Sequence, residues 1–217
     1  MNWNKLVGRI SSYNYLIRNK KVRDLVNRMI ANSLKSYDLS FNPAGVDDLR
    51  SRGFKIIDHE LLCDLELSRL YNSCKSEKLV DPWNFDAGEF TYNEIPEGTH
   101  VAHLVDPYHD RVVYRVANDP EILDLVGNYL GCEPTIDNIQ LWWSFSGNSL
   151  PQEAENFHRD WDTFKWLKLF IYITDVNIEN GPHVFVEGSH GIDGCMEHRR
   201  YSDAEIEVLG LPIKLFT

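Results

Sequence analysis

From Ile136 onward the chain returns again and again to runs of β-branched and aromatic residues bounded by turn residues, a pattern that restricts its fold more than any other. Residues 136–145, 164–175, 183–187 and 211–216 are such runs, and Asn180-Gly181 supplies a turn ahead of the third. Side chains of this kind suit a pleated, half-buried surface, so each run is predicted to be a strand. The first half reads differently. Leu6, Ile10, Tyr13, Ile17, Val22, Leu25, Val26, Met29, Ile30 and Leu34 recur at helical spacing, which predicts one or two amphipathic helices over residues 4–35. A break at 42–45 precedes a short helix at 46–52, ended by Gly53, then a strand at 54–58 and a helix at 60–73. Residues 80–110, rich in Asp, Pro, Gly and aromatic side chains, read as loop around a cleft, with a strand at 100–105. Asp119 followed by Pro120 caps a helix that runs to Gly131, and Ser202 with Glu205 forms a capping box for a short one. Helices first and strands later, without alternating βαβ units, predict an α+β plan with helices packed against a β-sandwich or barrel.

A length of 217 residues with 43% hydrophobic content suffices for one sizeable core, so one domain is expected. The longest apolar stretch, residues 167–173, is interrupted by Lys168 and is far shorter than the roughly 20 residues of a membrane span. No secretory leader is expected, since the first thirty residues scatter Lys and Arg among Asn and Ser. The four cysteines lack paired spacing, which argues against a disulfide scaffold or a Cys-based zinc site and favours a reducing cytoplasm. Residues 1–35 carry eight Lys and Arg against Asp24, a net +7 in a chain of net −11, so the remainder holds −18. An acidic body of that size disfavours a nucleic-acid groove. The basic stretch admits two readings, weak docking to an anionic surface or partner, or a helical face packed on the acidic body.

His158-Arg159-Asp160 is the motif with chemistry in it. In extended backbone residues i and i+2 point the same way, so an imidazole and a carboxylate can converge on one ion. Two His and one carboxylate, with open positions left over, is the donor set of non-haem iron(II) oxygenases. The same His-Arg-Asp string occurs in protein kinases, but the catalytic-loop Asn, a Gly-rich phosphate loop and Asp-Phe-Gly are all missing here. No His-Glu-x-x-His zinc-hydrolase motif occurs either.

Around the motif stand Gln140-Leu141-Trp142-Trp143 before it, an apolar run ending Tyr172-Ile173-Thr174-Asp175-Val176 after it, then Glu179-Asn180-Gly181-Pro182 and Gly188-Ser189-His190. In order and spacing the chain from about residue 131 to 190 resembles the phytanoyl-CoA dioxygenase family, and residues 49–58 resemble the short helix and first strand with which such proteins often begin. The resemblance implies a mainly β, double-stranded β-helix (a cupin-like jelly roll) with N-terminal helices packed on one sheet. Residues 1–40 would form a peripheral basic segment and residues 41–217 the oxygenase domain. It also implies an Fe(II)- and 2-oxoglutarate-dependent dioxygenase that uses O2 to hydroxylate a small organic substrate, with succinate and CO2 as coproducts. His158 and Asp160 match the first two iron ligands. Gln140, Trp142 and Phe164 lie where relatives line the 2-oxoglutarate pocket. The carboxylate at 160 points to hydroxylation, since halogenases need that position open for halide.

Two departures from the family pattern stand out. Glu187 occupies the place of the usual Pro before Gly188-Ser189-His190. The second His ligand and the Arg that holds the distal carboxylate of 2-oxoglutarate are expected on strands beyond residues 211–216, so the chain is expected to be shortened at its C-terminus. The alternative to an oxygenase is therefore a catalytically incomplete jelly-roll module, fragment or pseudoenzyme, that binds a ligand or partner without turnover. His183, His190 and His198 are substitutes for the missing ligand, though buried or surface histidines with structural roles outnumber ligands. His100, His103 and His109 fall in the cleft loops, and Asp162 could compete with Asp160.

Overall fold

The computed structural model describes residues 16–34, 46–57, 62–107, 110–146, 150–160, 162–192 and 197–217. The helical reading of residues 4–15, the break at 42–45, Asp58, His109, Trp161 and Cys195 lie outside the described residues.

Helix α1, Lys20–Ser33, starts where the Asn19 side chain accepts from the Val22 N–H at 3.2 Å, satisfying one of the donors a helix start leaves open. Its basic face does not simply meet solvent. Arg23 is 6% exposed and donates to the carbonyls of Ile17, Thr163 and Phe164, and Asn27 donates to Phe164 as well. Arg18 lies 3.7 Å from Glu197. Helix α2, Val46–Ser51, buries Val46 and Leu49. Helix α3, Asp64–Ser76, is capped by Glu66, whose carboxylate accepts from the Cys63 N–H at 3.1 Å.

Strands β1 (Leu79–Val80), β2 (Glu89–Phe90), β3 (Val101–Leu104) and β4 (Trp142–Ser144) form an antiparallel sheet in the order β2-β1-β3-β4. Leu79 sits opposite both Phe90 and Leu104, and it is fully buried. With Leu70, Cys74 and Ala102 these residues make one core, against which Tyr92, Trp143 and Phe145 pack. Between β3 and β4 come α4, Arg111–Ala117, which the sequence reading did not anticipate, and α5, Pro120–Leu130. Helix α5 is as expected: Asp119 accepts from Glu121 and Ile122, and Gly131 closes it at φ 82° with its N–H on the Gly127 carbonyl.

Two further antiparallel pairs follow, β5 (Phe157–His158) with β7 (Arg200–Tyr201) and β6 (His183–Val186) with β8 (Ile213–Phe216). Val186 and Tyr201 join Ile206 of helix α6, Asp203–Val208, in a second core. The Ser202–Glu205 capping box is formed. Antiparallel sheets with helices therefore account for the described chain.

Two strand expectations fail and a third is met only in part. Residues 54–57 carry no ladder; Phe54 instead sets its ring edge-on to Phe185 at 5.7 Å and Phe216 at 5.1 Å. The run 136–145 shortens to β4 because β3 offers only four residues to pair with. The run 164–175 is not a strand: the Thr163 and Phe164 carbonyls are taken by side chains of α1, and the Tyr172 hydroxyl caps the β6–β8 ladder, accepting from His183 N–H and donating to the Phe216 carbonyl.

Glu187, in place of the usual Pro, is held by Arg52, whose Nε donates to it at 2.7 Å while the Arg52 carbonyl accepts from Gly188 N–H. His190 Nε2 donates to the Arg50 carbonyl at 3.0 Å. This loop thus locks onto the end of α2, and Gly53 makes the approach possible: φ is +89°, and a Cβ there would lie 2.6 Å from His190 Nδ1. Gly53→Ala is expected to cost roughly 2–4 kcal/mol, combining backbone strain and overpacking. Gly188→Ala, with its nearest neighbour at 3.8 Å, would add only the strain of a positive φ. Urea unfolding of both variants checks the difference; equal losses would show that the contact with His190 is immaterial.

Candidate metal centre

The 3₁₀ turn Glu153–Glu155 is fixed from both ends, because the Glu155 carboxylate accepts from Gln152 N–H at 2.7 Å and meets Nδ1 of the buried His100 on the last residue before β3 at 2.8 Å. The chain leaves this turn through Asn156 directly into β5, whose register sets His158 opposite Arg200. The Asn156 carbonyl lies 2.8 Å from Nδ1 of His158. A carbonyl can only accept, so Nδ1 carries a hydrogen and the other nitrogen, Nε2, is the free donor atom of the neutral ring.

Nε2 faces Asp160. Oδ1 is 3.3 Å away, and both side chains are partly buried, 23% and 33% exposed. Two electron-pair donors at this separation need a cation between them, a proton or a metal ion. Cis ligands at about 2.1 Å from an ion with right-angled geometry stand about 3 Å apart, so the pair fits two positions of a first-row metal. The imidazole held by a carbonyl at its far nitrogen is the orientation metal-bound histidines use.

Without metal the proton fills that role. The hydrogen bond to Asp160 raises the pKa of His158 above its ordinary 6.5, against partial burial and with help from the Asn156 carbonyl. Asp160 is held far below the usual carboxylate range, first by His158 and then, against burial, by Lys168. Lys168 Nζ lies 2.6 Å from Oδ2 of Asp160 and 3.6 Å from Asp162.

His158 and Asp160 are thus brought together; the other site residues read from the sequence stand elsewhere. Gln140 is exposed just ahead of β4. Trp142 is 45% exposed and packs on His103, its register partner, with ring centroids 5.1 Å apart. Phe164 is 7% exposed beneath the Arg23 guanidinium, 5.2 Å from its centroid. His183 stacks on Phe170 at 4.7 Å, and desolvation followed by the charge of His158 lowers its pKa. His190 is committed to the Arg50 carbonyl, and His198 is exposed. Among the described residues no group of three His, Cys, Asp or Glu side chains could hold a metal ion. The sequence reading missed Lys168 and Arg200. Lys168 had a signal, a lone cation interrupting an apolar run; Arg200, two residues ahead of a capping box, had none.

A model of the phytanoyl-CoA dioxygenase family matches residues 75–207, from the end of α3 into α6 and across the whole His158–Asp160 segment. The chain belongs to that family. No curated protein and no solved structure matches it. Family membership points to an oxygenase, and iron(II) and 2-oxoglutarate are typical of such proteins. Helices α1 and α2 lie outside the matched segment. Among the described residues no helix is long and apolar enough to cross a membrane.

The two pKa shifts set a pH window for the metal-free protein. A raised His158 contributes stability that is complete below 6.5 and fades as pH rises through the raised value; a depressed Asp160 contributes stability that is complete above 3.8 and fades as pH falls. With chelator present, the stability gap between the wild type and His158→Ala should be widest near pH 5 and narrow toward about pH 9. Denaturant titrations across that range check this, and a flat gap would rule out the protonated pair.

Proposed function

We propose that the chain is an Fe(II)- and 2-oxoglutarate-dependent oxygenase that hydroxylates a small organic molecule, built on a double-stranded β-helix of which the short antiparallel pairs are parts. The reading rests on one observation, the free Nε2 of His158 set 3.3 Å from Oδ1 of Asp160 within the family-matched segment. When bound, iron(II) with 2-oxoglutarate and O2 supplies the oxidising chemistry, with succinate and CO2 as coproducts. The chain's own part is narrower. His158 and Asp160 supply two donors and leave the remaining positions open. The Asn156 carbonyl keeps the imidazole in its ligating tautomer, and the His100–Glu155 contact holds the turn that carries Asn156. Gln140, just ahead of β4, and Trp142, at its start, remain exposed to a small molecule.

A second reading, a binding module without turnover, is favoured by the finding that the described donors meet in a pair and not in a triad. One experiment separates the two. Iron(II) is titrated anaerobically into the protein, and succinate formation from 2-oxoglutarate is then followed in air. Both readings that include the metal expect His158→Ala to weaken binding at least about tenfold. Succinate formation abolished by that substitution supports the oxygenase; binding without succinate supports the module. Iron binding indifferent to His158→Ala sinks the assignment of the centre.

A further inference from the structure

Lys168 sits in an apolar run, between the exposed Leu169 and a Trp166 ring 5.1 Å from its ammonium, yet it turns to Asp160. The carboxylate is divided. Oδ1 faces Nε2 of His158 at 3.3 Å and Oδ2 receives Lys168 Nζ at 2.6 Å. A free, one-third-exposed aspartate can rotate about its last bond and offer either oxygen, or both, to an ion. This one cannot turn without losing a short charge-assisted hydrogen bond.

We propose that Lys168 is a positioning residue of the metal centre: by holding Oδ2 of Asp160 it makes the carboxylate a one-oxygen ligand, with Oδ1 presented beside Nε2 of His158. The inference rests on His158 and Asp160 being ligands, as proposed above.

An ammonium next to a metal site has an opposite effect too, since it repels a divalent ion. Two features weaken that repulsion. Asp162 lies 3.6 Å from Lys168 and offsets its charge, and the Lys168 side chain is 42% exposed, where water screens what remains. Orientation is therefore the larger effect, and removing the lysine loosens the site.

The probe is cobalt(II), which is stable in air and whose visible absorption reports coordination number. It is titrated into the full 217-residue protein as wild type, Lys168→Met and Lys168→Arg. Lys168→Met keeps an unbranched side chain of similar length and removes the donor; it should bind cobalt about tenfold more weakly, with an altered visible spectrum, and melt at the wild-type temperature. Lys168→Arg, which restores charge and donor, should recover the affinity to within about threefold and the wild-type spectrum. Unchanged or tighter binding by Lys168→Met, or equal loss in both variants, overturns the role of Lys168 while leaving the metal pair standing. A wild-type protein that takes up no cobalt overturns the metal pair itself.

Discussion

A backbone carbonyl accepts hydrogen bonds and cannot give them, and the contact between Asn156 and Nδ1 of His158 turns that constraint into the chemistry of the centre. The ring is left with Nε2 facing a carboxylate oxygen, two donors of electron pairs in one small space. Some cation has to join them. With no metal, the proton does so, and the raised pKa of His158 and the depressed one of Asp160 are two views of the same shared charge. Lys168 takes the outer oxygen of Asp160 and fixes which face of the carboxylate looks inward.

Around this pair the chain uses side chains where a sheet would use a ladder. Carbonyls withdrawn from water require donors, and those of the partly buried Thr163 and the buried Phe164 receive theirs from Arg23 and Asn27 of α1, a helix outside the family-matched segment. Lys165 donates to the Tyr129 carbonyl of α5 and so ties the same stretch to a second helix. The Tyr172 hydroxyl bridges the end of the β6–β8 pair, and Arg52 grips Glu187 where the family pattern has a rigid Pro. The basic character of α1 thus has a local structural use: Arg23 is buried against carbonyl oxygens, which attract a guanidinium as a carboxylate would.

What could be read in advance follows from range. Asp119 with Pro120 and Gly131, and Ser202 with Glu205, mark helix ends through hydrogen bonds that span a few residues, and each is formed where expected. The turn at Gly181 and the strand His183–Val186 are equally local. Of the long runs, 136–145 keeps only its β4 portion and 164–175 forms no strand, because β-branched and aromatic composition reports a half-buried surface, whereas a strand also needs a neighbour to pair with. Helix α4 escaped notice because its short apolar set, Val112, Val113 and Val116, follows a loop-like stretch, although Asp110 caps it.

The amino-acid sequence by itself determined the family, the helix caps and the two-residue spacing that lets His158 and Asp160 share a face, because each of these depends on neighbours along the chain. Only the tertiary structure decided which nitrogen of His158 is free, that Lys168 holds Asp160, that Arg200 stands opposite His158, and that Arg52 and Arg23 brace segments 135 and 140 residues away. Ion pairs and side-chain-to-carbonyl bonds have no period along a chain. They exist only when the packing of helices and strands brings a donor to an acceptor and shuts out the water that would otherwise serve both.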